Sequence, residues 1–261
     1  MKLSRNAISW LQVAPMAVVL LVFFGIPLLA VLAVSFFDFD QFDIVPGFFL
    51  TNYKDVFTSS LSISLYYNTL KFALIVWAIT LVLGFTVAYF LAFHVRTLLW
   101  QMALFLVCTV PFWTSNIIRM ISWIPFLGRN GIFNQALMGA GLTNEPVQML
   151  LFSDFAVIVA YVHLFTLFMI VPIFNAMARI DRSLIEAAVD AGASRWQVVW
   201  DVVVPLSKTG IALGSIFVLT MVMGDFYVVK VMSGGQSASV VQAMSNEIAL
   251  LQYPPAAASA I

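Results

Sequence analysis

Residues Glu186 to Pro205 read EAAVDAGASRWQVVWDVVVP, a polar and semi-polar island between two long apolar runs. Ser183 stands three residues before Glu186 and Ser194 three before Gln197, the spacing of a capping box, so a short helix is expected on each side of Gly192. Gly192 supplies the turn. The first helix would carry Leu184, Ile185, Ala188 and Ala191 on one side; the second would carry Trp196, Val199, Trp200 and Val203, with Pro205 closing it. Helices this short are marginal alone, so their apolar stripes must rest on other helices, a neighbouring chain, or both.

The rest of the chain says what those runs are. Of its 261 residues 62% are hydrophobic and 9% charged, with a mean hydropathy of +1.02, which excludes an ordinary soluble domain. Continuous apolar runs of about twenty residues point to membrane helices, where a barrel would show short alternating segments. The class is therefore an all-α integral membrane protein. Zero net charge gives no case for a nucleic-acid partner. Cys108, the single cysteine, lies in an apolar run as a small packing residue.

Residues 1–37 form an N-terminal segment with span one, too long in its apolar part for a cleaved leader, and 38–66 form an outer loop marked by Asp38, Asp40, Asp43 and Asp55. Residues 67–261 hold spans at about 68–93, 98–125, 152–177 and 209–229, and a sixth that begins at 256 and is read as truncated. A polar loop, 178–208, contains the opening stretch. With the N-terminus in the cytoplasm, Lys2, Arg5, Arg96, Arg179, Arg182, Arg195 and Lys208 fall inside, against Lys54, Lys71, Arg119, Arg129 and Lys230 outside. The island then faces the cytoplasm.

Glu186-Ala187-Ala188, then Gly192, then Val202, Val204 and Pro205 resemble the EAA loop of permease subunits in bacterial binding-protein-dependent ABC importers. Valines stand where that pattern has Ile and Leu. The resemblance implies a type I ABC importer transmembrane subunit of about six spans in the bacterial inner membrane. It also implies that Glu186, Ala187, Ala188, Asp190, Gly192, Ala193 and Pro205 belong to a coupling loop seated on a cytoplasmic ATPase dimer. The other implied partners are a second permease, expected to be a different chain, a periplasmic substrate-binding protein and the lipid bilayer. No Gly-Lys-Ser/Thr phosphate loop occurs, so ATP hydrolysis is expected on a separate subunit, and no cofactor is implied.

The run Pro111 to Asn134, PFWTSNIIRMISWIPFLGRNGIFN, resembles the third-span region of the spermidine/putrescine branch, lacking that branch's tyrosine between the arginine and the tryptophan. It implies a polyamine as the carried solute; an opine or amino-acid-like compound in the same importer class stays open. Trp113, Thr114, Ser115, Arg119, Asp225 and Tyr227 are the candidates for the translocation path or its gate. Arg119 reads either as an interfacial anchor beside Trp123 or as a path residue. Asp225 reads either as a path or gate carboxylate or as the ion-pair partner of Lys230 or Arg119. Phe226, Gly224 and the pair Gly234-Gly235 also match the branch. For a cationic solute, Asp38, Asp40, Asp43, Glu145, Asp154 and Asp225 would supply a favourable outer field.

His94 and His163 lack acidic or cysteine companions at ligand spacing, so metal binding is not expected, and His163 is read as an interhelical hydrogen-bond partner. No nucleophile, base and acid combination suggests enzyme chemistry. An ion-coupled secondary transporter would need coupling-ion ligands and matched broken segments, where only Asp225 is in view.

Overall fold

The computed structural model describes residues 5–40, 43–95 and 97–261, with side chains from Trp10 onward. Lys2 and Arg96, two of the cations in the orientation argument, lie outside the described residues, as does the side chain of Arg5. Among the described residues, four helical stretches are long and apolar enough to cross a membrane: Trp10–Val34, Ser60–His94, Asp154–Met177 and Arg195–Met223. A bent pair, Leu98–Trp113 with Asn116–Gly139, makes a fifth when its two halves are counted as one span.

Span one is α1 (Arg5–Leu20), a π-helical turn (Leu21–Gly25) and α2 (Ile26–Val34) in one run. The acidic loop beyond it is ordered as two antiparallel strands, β1 (Asp38–Asp40) and β2 (Asp43–Val45), followed by α3 (Thr51–Thr58). Asn52 of α3 donates to the carbonyls of Ser35 and Phe37 at 3.3 and 2.8 Å, which satisfies the free end of span one. Span two, α4 (Ser60–Tyr89) with a π turn Phe90–His94, begins before the expected residue 68, because nothing in SLSISLYY breaks a helix.

The expected third span, 98–125, is not one straight helix. α5 (Leu98–Thr109) runs into a 3-10 turn, Val110–Trp113, and the chain then bends by 91° into α6 (Asn116–Ile121), α7 (Trp123–Leu127) and α8 (Ile132–Gly139). Pro111 lacks an N–H and its ring crowds the preceding turn, and Thr114 and Ser115 take non-helical backbone angles just after it. The loop that follows is held by fully buried Asn134, which donates to Gly128 O and accepts from Val147 N at 3.0 and 2.8 Å.

Span four is α9 (Asp154–Met177), N-capped by Ser153. After it come α10 (Arg182–Asp190), α11 (Arg195–Gln197), a π turn Val198–Val203 and α12 (Val204–Met223). The expectation that Pro205 ends the second short helix is overturned: α11, the π turn and α12 form one helical stretch. A proline inside an α-helix clashes with the carbonyl four residues back and leaves it unbonded. The wider π turn immediately before Pro205 relieves that conflict, and Pro27 follows its π turn in the same way. Span five accordingly stops at Met223, not near 229, and the expected outer loop beyond it holds α13 (Tyr227–Met232) and α14 (Val240–Ala249), followed by α15 (Tyr253–Ala260).

Two compact units emerge. One comprises residues up to Leu65 together with Val240–Ile261, in which α15 packs on α2, α3 and β1. The other is Tyr66–Ser239, centred on α9, whose Tyr161, Met169, Ile173 and Met177 are fully buried. Small residues bring its neighbours close. A Cβ on Gly210 of α12 would lie 2.4 Å from Pro172 O, and one on Gly84 of α4 would lie 2.6 Å from Met169 Cγ. Polar contacts tie the same helices: Trp77 Nε1 donates to Ser215 Oγ at 2.9 Å, and Lys71 pairs with Asp154 at 2.6 Å.

Candidate functional site

The island turns at Gly192, as its spacing predicts, between the short helix α10 and the long helical stretch that begins at α11, and α10 has a different cap from the one expected. Asp181, not Ser183, begins α10: its carboxylate accepts the Ser183 N–H at 3.0 Å. An acceptor one residue before the helix serves the free N–H groups of the first turn, which Ser183, already inside the helix, cannot. That bond to the charged form holds the Asp181 carboxyl below the usual carboxylate range, so the cap persists above that range and is lost as pH falls through the lowered value. The box at Ser194 is present, with Gln197 N donating to Ser194 Oγ and Ser194 N to Gln197 Oε1, the latter at 2.7 Å.

Gly192 has φ +88°, a conformation that costs a side-chain-bearing residue roughly 1 kcal/mol. Ala193 N bonds Ala188 O at 3.0 Å and Gly192 N bonds Val189 O at 2.9 Å, the pattern of a Schellman stop. Ala188 and Ala193 pack at that corner against the core, with Ile185 and the buried Val198 and Val203. The apolar stripes therefore differ from the expected ones. Leu184, Val189, Trp196 and Trp200 face outward, the two tryptophans 73% and 63% exposed, alongside exposed Glu186, Ala187, Asp190 and Gly192. Arg182 leans back to the carbonyls of Ala92 and Val95, at 3.4 and 3.5 Å, and so anchors α10 to the end of span two.

The six path candidates do not converge on one place. Trp113, Thr114 and Ser115 are exposed at the break in span three. Arg119 is 7% exposed; it bonds Asn116 Oδ1, lies 5.9 Å from the Phe112 ring centroid and leaves its Nε without a partner. It lines a largely apolar cavity of about 690 Å³ between α4, α9 and the bent pair, where Trp123 Nε1 donates to His163 Nδ1 at 3.0 Å. His163 is thus an interhelical hydrogen-bond partner, as its isolation in the sequence suggests.

The ion-pair reading of Asp225 is corrected. Asp225 Oδ1 accepts from the Tyr161 hydroxyl at 3.2 Å and from Val228 N at 2.8 Å. It joins the buried face of α9 to the start of α13, and a carboxylate at a free helix N-terminus needs no cation to be satisfied. Tyr227 is exposed beside it. Sequence reasoning also missed Phe112, Phe168 and Phe217, which come from three separate elements to line a groove with Trp113. Only their spread through apolar runs was visible in one dimension.

Residues 80–261 match the family described as binding-protein-dependent transport system inner membrane component. The spermidine/putrescine transport system permease protein PotB of Haemophilus influenzae is 34% identical over 257 residues, 98% of this chain and 88% of that protein. PotB of Escherichia coli is 35% identical over 222 residues, covering 84% and 78%. Among solved structures, a bacterial alginate ABC transporter, in complex with an alginate pentasaccharide-bound periplasmic protein, superposes with a TM-score of 0.73 at 18% identity, covering 98% of this chain and 88% of that one. The likeness shows a shared fold, the type I importer permease fold expected from the sequence. The chain belongs to the family of binding-protein-dependent transport system inner membrane components, and it is a transport subunit, not an enzyme.

Proposed function

We propose that this chain is one permease subunit of an ATP-driven importer that passes a polyamine of the putrescine/spermidine type from a periplasmic binding protein across the inner membrane. The observation that carries the substrate class is the identity of about one third, over nearly the whole chain, to permeases named for spermidine and putrescine. The run Pro111 to Asn134 points the same way.

The exposed face of Glu186, Ala187, Asp190 and Gly192, flanked by Trp196 and Trp200 and backed by the half-buried Ala188 and Ala193, is the surface offered to the ATPase dimer. Pro205, behind its π turn, lies where that surface joins span five, so movement of the island and of α12 is coupled through one rod. The N-terminus is cytoplasmic in this reading, residues 67–261 are the transmembrane domain and 178–208 its coupling loop. A second, different permease completes the path. Trp113, Thr114, Ser115 and Arg119 border it at mid-membrane, and Asp225 with Tyr227 gates its outer half.

The test is ATP-dependent uptake of radiolabelled putrescine and spermidine into proteoliposomes holding this chain with its second permease, ATPase and binding protein. Gly192→Asp has open space around its Cβ and strains the left-handed corner by about 1 kcal/mol, too little to prevent insertion, and it is expected to lose both ATPase co-purification and at least about tenfold of uptake, a coupling free energy near 1.4 kcal/mol. Normal transport by that variant would refute the coupling role. Uptake driven by an ion gradient would refute the importer.

A further inference from the structure

The break in span three packs against the middle of α9, a helix long and apolar enough to cross a membrane. Phe112, on its 3-10 turn, packs edge-on against Phe168 of α9 with ring centroids 4.9 Å apart. Phe168 stands past the midpoint of α9, about 21 Å along a rod of about 36 Å. Thr114 and Ser115 next to it are non-helical and exposed. Non-helical backbone at that depth is tolerated only where protein covers it or where it borders a water-filled cavity, and among the described residues Thr114 and Ser115 stay exposed. Broken helices at the midplane are where transporters of other folds hold their solutes.

Directly beside the break, Phe112, Trp113, Phe168 and Phe217, with Thr109 and Pro172, line a groove of about 330 Å³. The four rings come from the 3-10 turn, α9 and α12, with Phe168 and Phe217 at 6.4 Å between centroids. Trp113 is 86% exposed and Phe217 46% exposed. No carboxylate lines the groove. Its walls are nonetheless not indifferent to charge, since aromatic faces carry negative potential, and the Arg119 guanidinium already lies over one face of Phe112.

We infer that this groove is a transient seat for the alkylammonium groups of the carried solute, held over the faces of Trp113, Phe168 and Phe217 by cation–π attraction while water solvates the open side. This rests on the polyamine reading above. The chemistry suits passage: a carboxylate facing an ammonium in a dry site would hold it, whereas aromatic faces attract it weakly enough for release to the next position. Aliphatic walls of the same shape would give no such attraction.

The test uses the complete importer in ATP-loaded proteoliposomes with radiolabelled putrescine. Trp113→Leu and Phe168→Leu are expected to lower uptake about tenfold, while Trp113→Phe and Phe168→Tyr keep most of it. Binding-protein-stimulated ATP hydrolysis should stay at the wild-type rate, which separates loss of the seat from loss of fold or coupling. Site-specific mono-, di- and trifluorotryptophan at Trp113, isosteric but progressively poorer in ring charge, should lower uptake in order. Leucine variants that transport like the wild type, or a flat fluorination series, would overturn the seat and leave the groove as lipid-facing packing. Wild-type importer that moves another solute and no polyamine would instead overturn the polyamine reading, and the seat with it.

Discussion

At the scale of single residues, most of what shapes the coupling stretch is short-range hydrogen bonding. Ser194 and Gln197 satisfy each other's backbone N–H groups, and Gly192 supplies the one left-handed corner between the helices. Replacing Ser194 by Ala removes the acceptor for the Gln197 N–H, at a cost of about 1 kcal/mol of local helix stability. The expected outcome is faster amide hydrogen exchange at Gln197, with the spans unaffected. This box was legible because both partners lie within four residues of each other. The cap at Asp181 was not read, since Ser183 and Glu186 offer an equally good local pattern. Only the observed start of α10 at Arg182 decides between them. Asp225 shows the same limit over a longer distance: its partner Tyr161 belongs to a different span, and no local spacing points to it.

Elements bring a second kind of constraint, the close approach of rods. α9 and α12 meet where Gly210 lies against the Pro172 carbonyl, a contact that a methyl group cannot share. Gly210→Ala is therefore expected to push the helices apart and destabilise the folded chain by about 1–3 kcal/mol, the range for overpacking. A lowered Tm in detergent, with reduced binding-protein-stimulated ATP hydrolysis by the assembled importer, would show it; an unchanged Tm would mean that the crossing is looser than its geometry indicates. Prolines were the elements' least legible feature. Pro111 and Pro205 look alike as helix breakers in the sequence. One lies where span three bends by 91°. The other is absorbed by a π turn within one continuous helical stretch, whose later part packs against α9.

For the whole molecule, the distribution of apolar surface matters most. Trp10–Val34 has none of its span buried within this chain, whereas 44% of the α9 span is buried. Lipid satisfies an exposed apolar helix, but the exposed break at Thr114 and Ser115 needs water or protein. With the second permease as proposed, co-expression should prolong the lifetime of this chain in the membrane, by about 2.7 kcal/mol of added stability when the partner is a hundredfold above its Kd. Pulse-chase with and without that partner measures it, and equal lifetimes would argue that the break is closed some other way. The sequence alone determined that the chain is helical and membrane-embedded and that the island from Glu186 to Pro205 turns at Gly192. Those features follow from hydropathy over about twenty residues and from bonds between neighbours, which are local quantities. Only the tertiary structure decided that Trp196 and Trp200 face outward, that Asp225 answers to Tyr161, and that Phe112, Trp113, Phe168 and Phe217 share one groove. Each of these depends on how separate spans rotate about their axes when they pack, and a helix that is apolar on every side carries no periodic signal of that rotation.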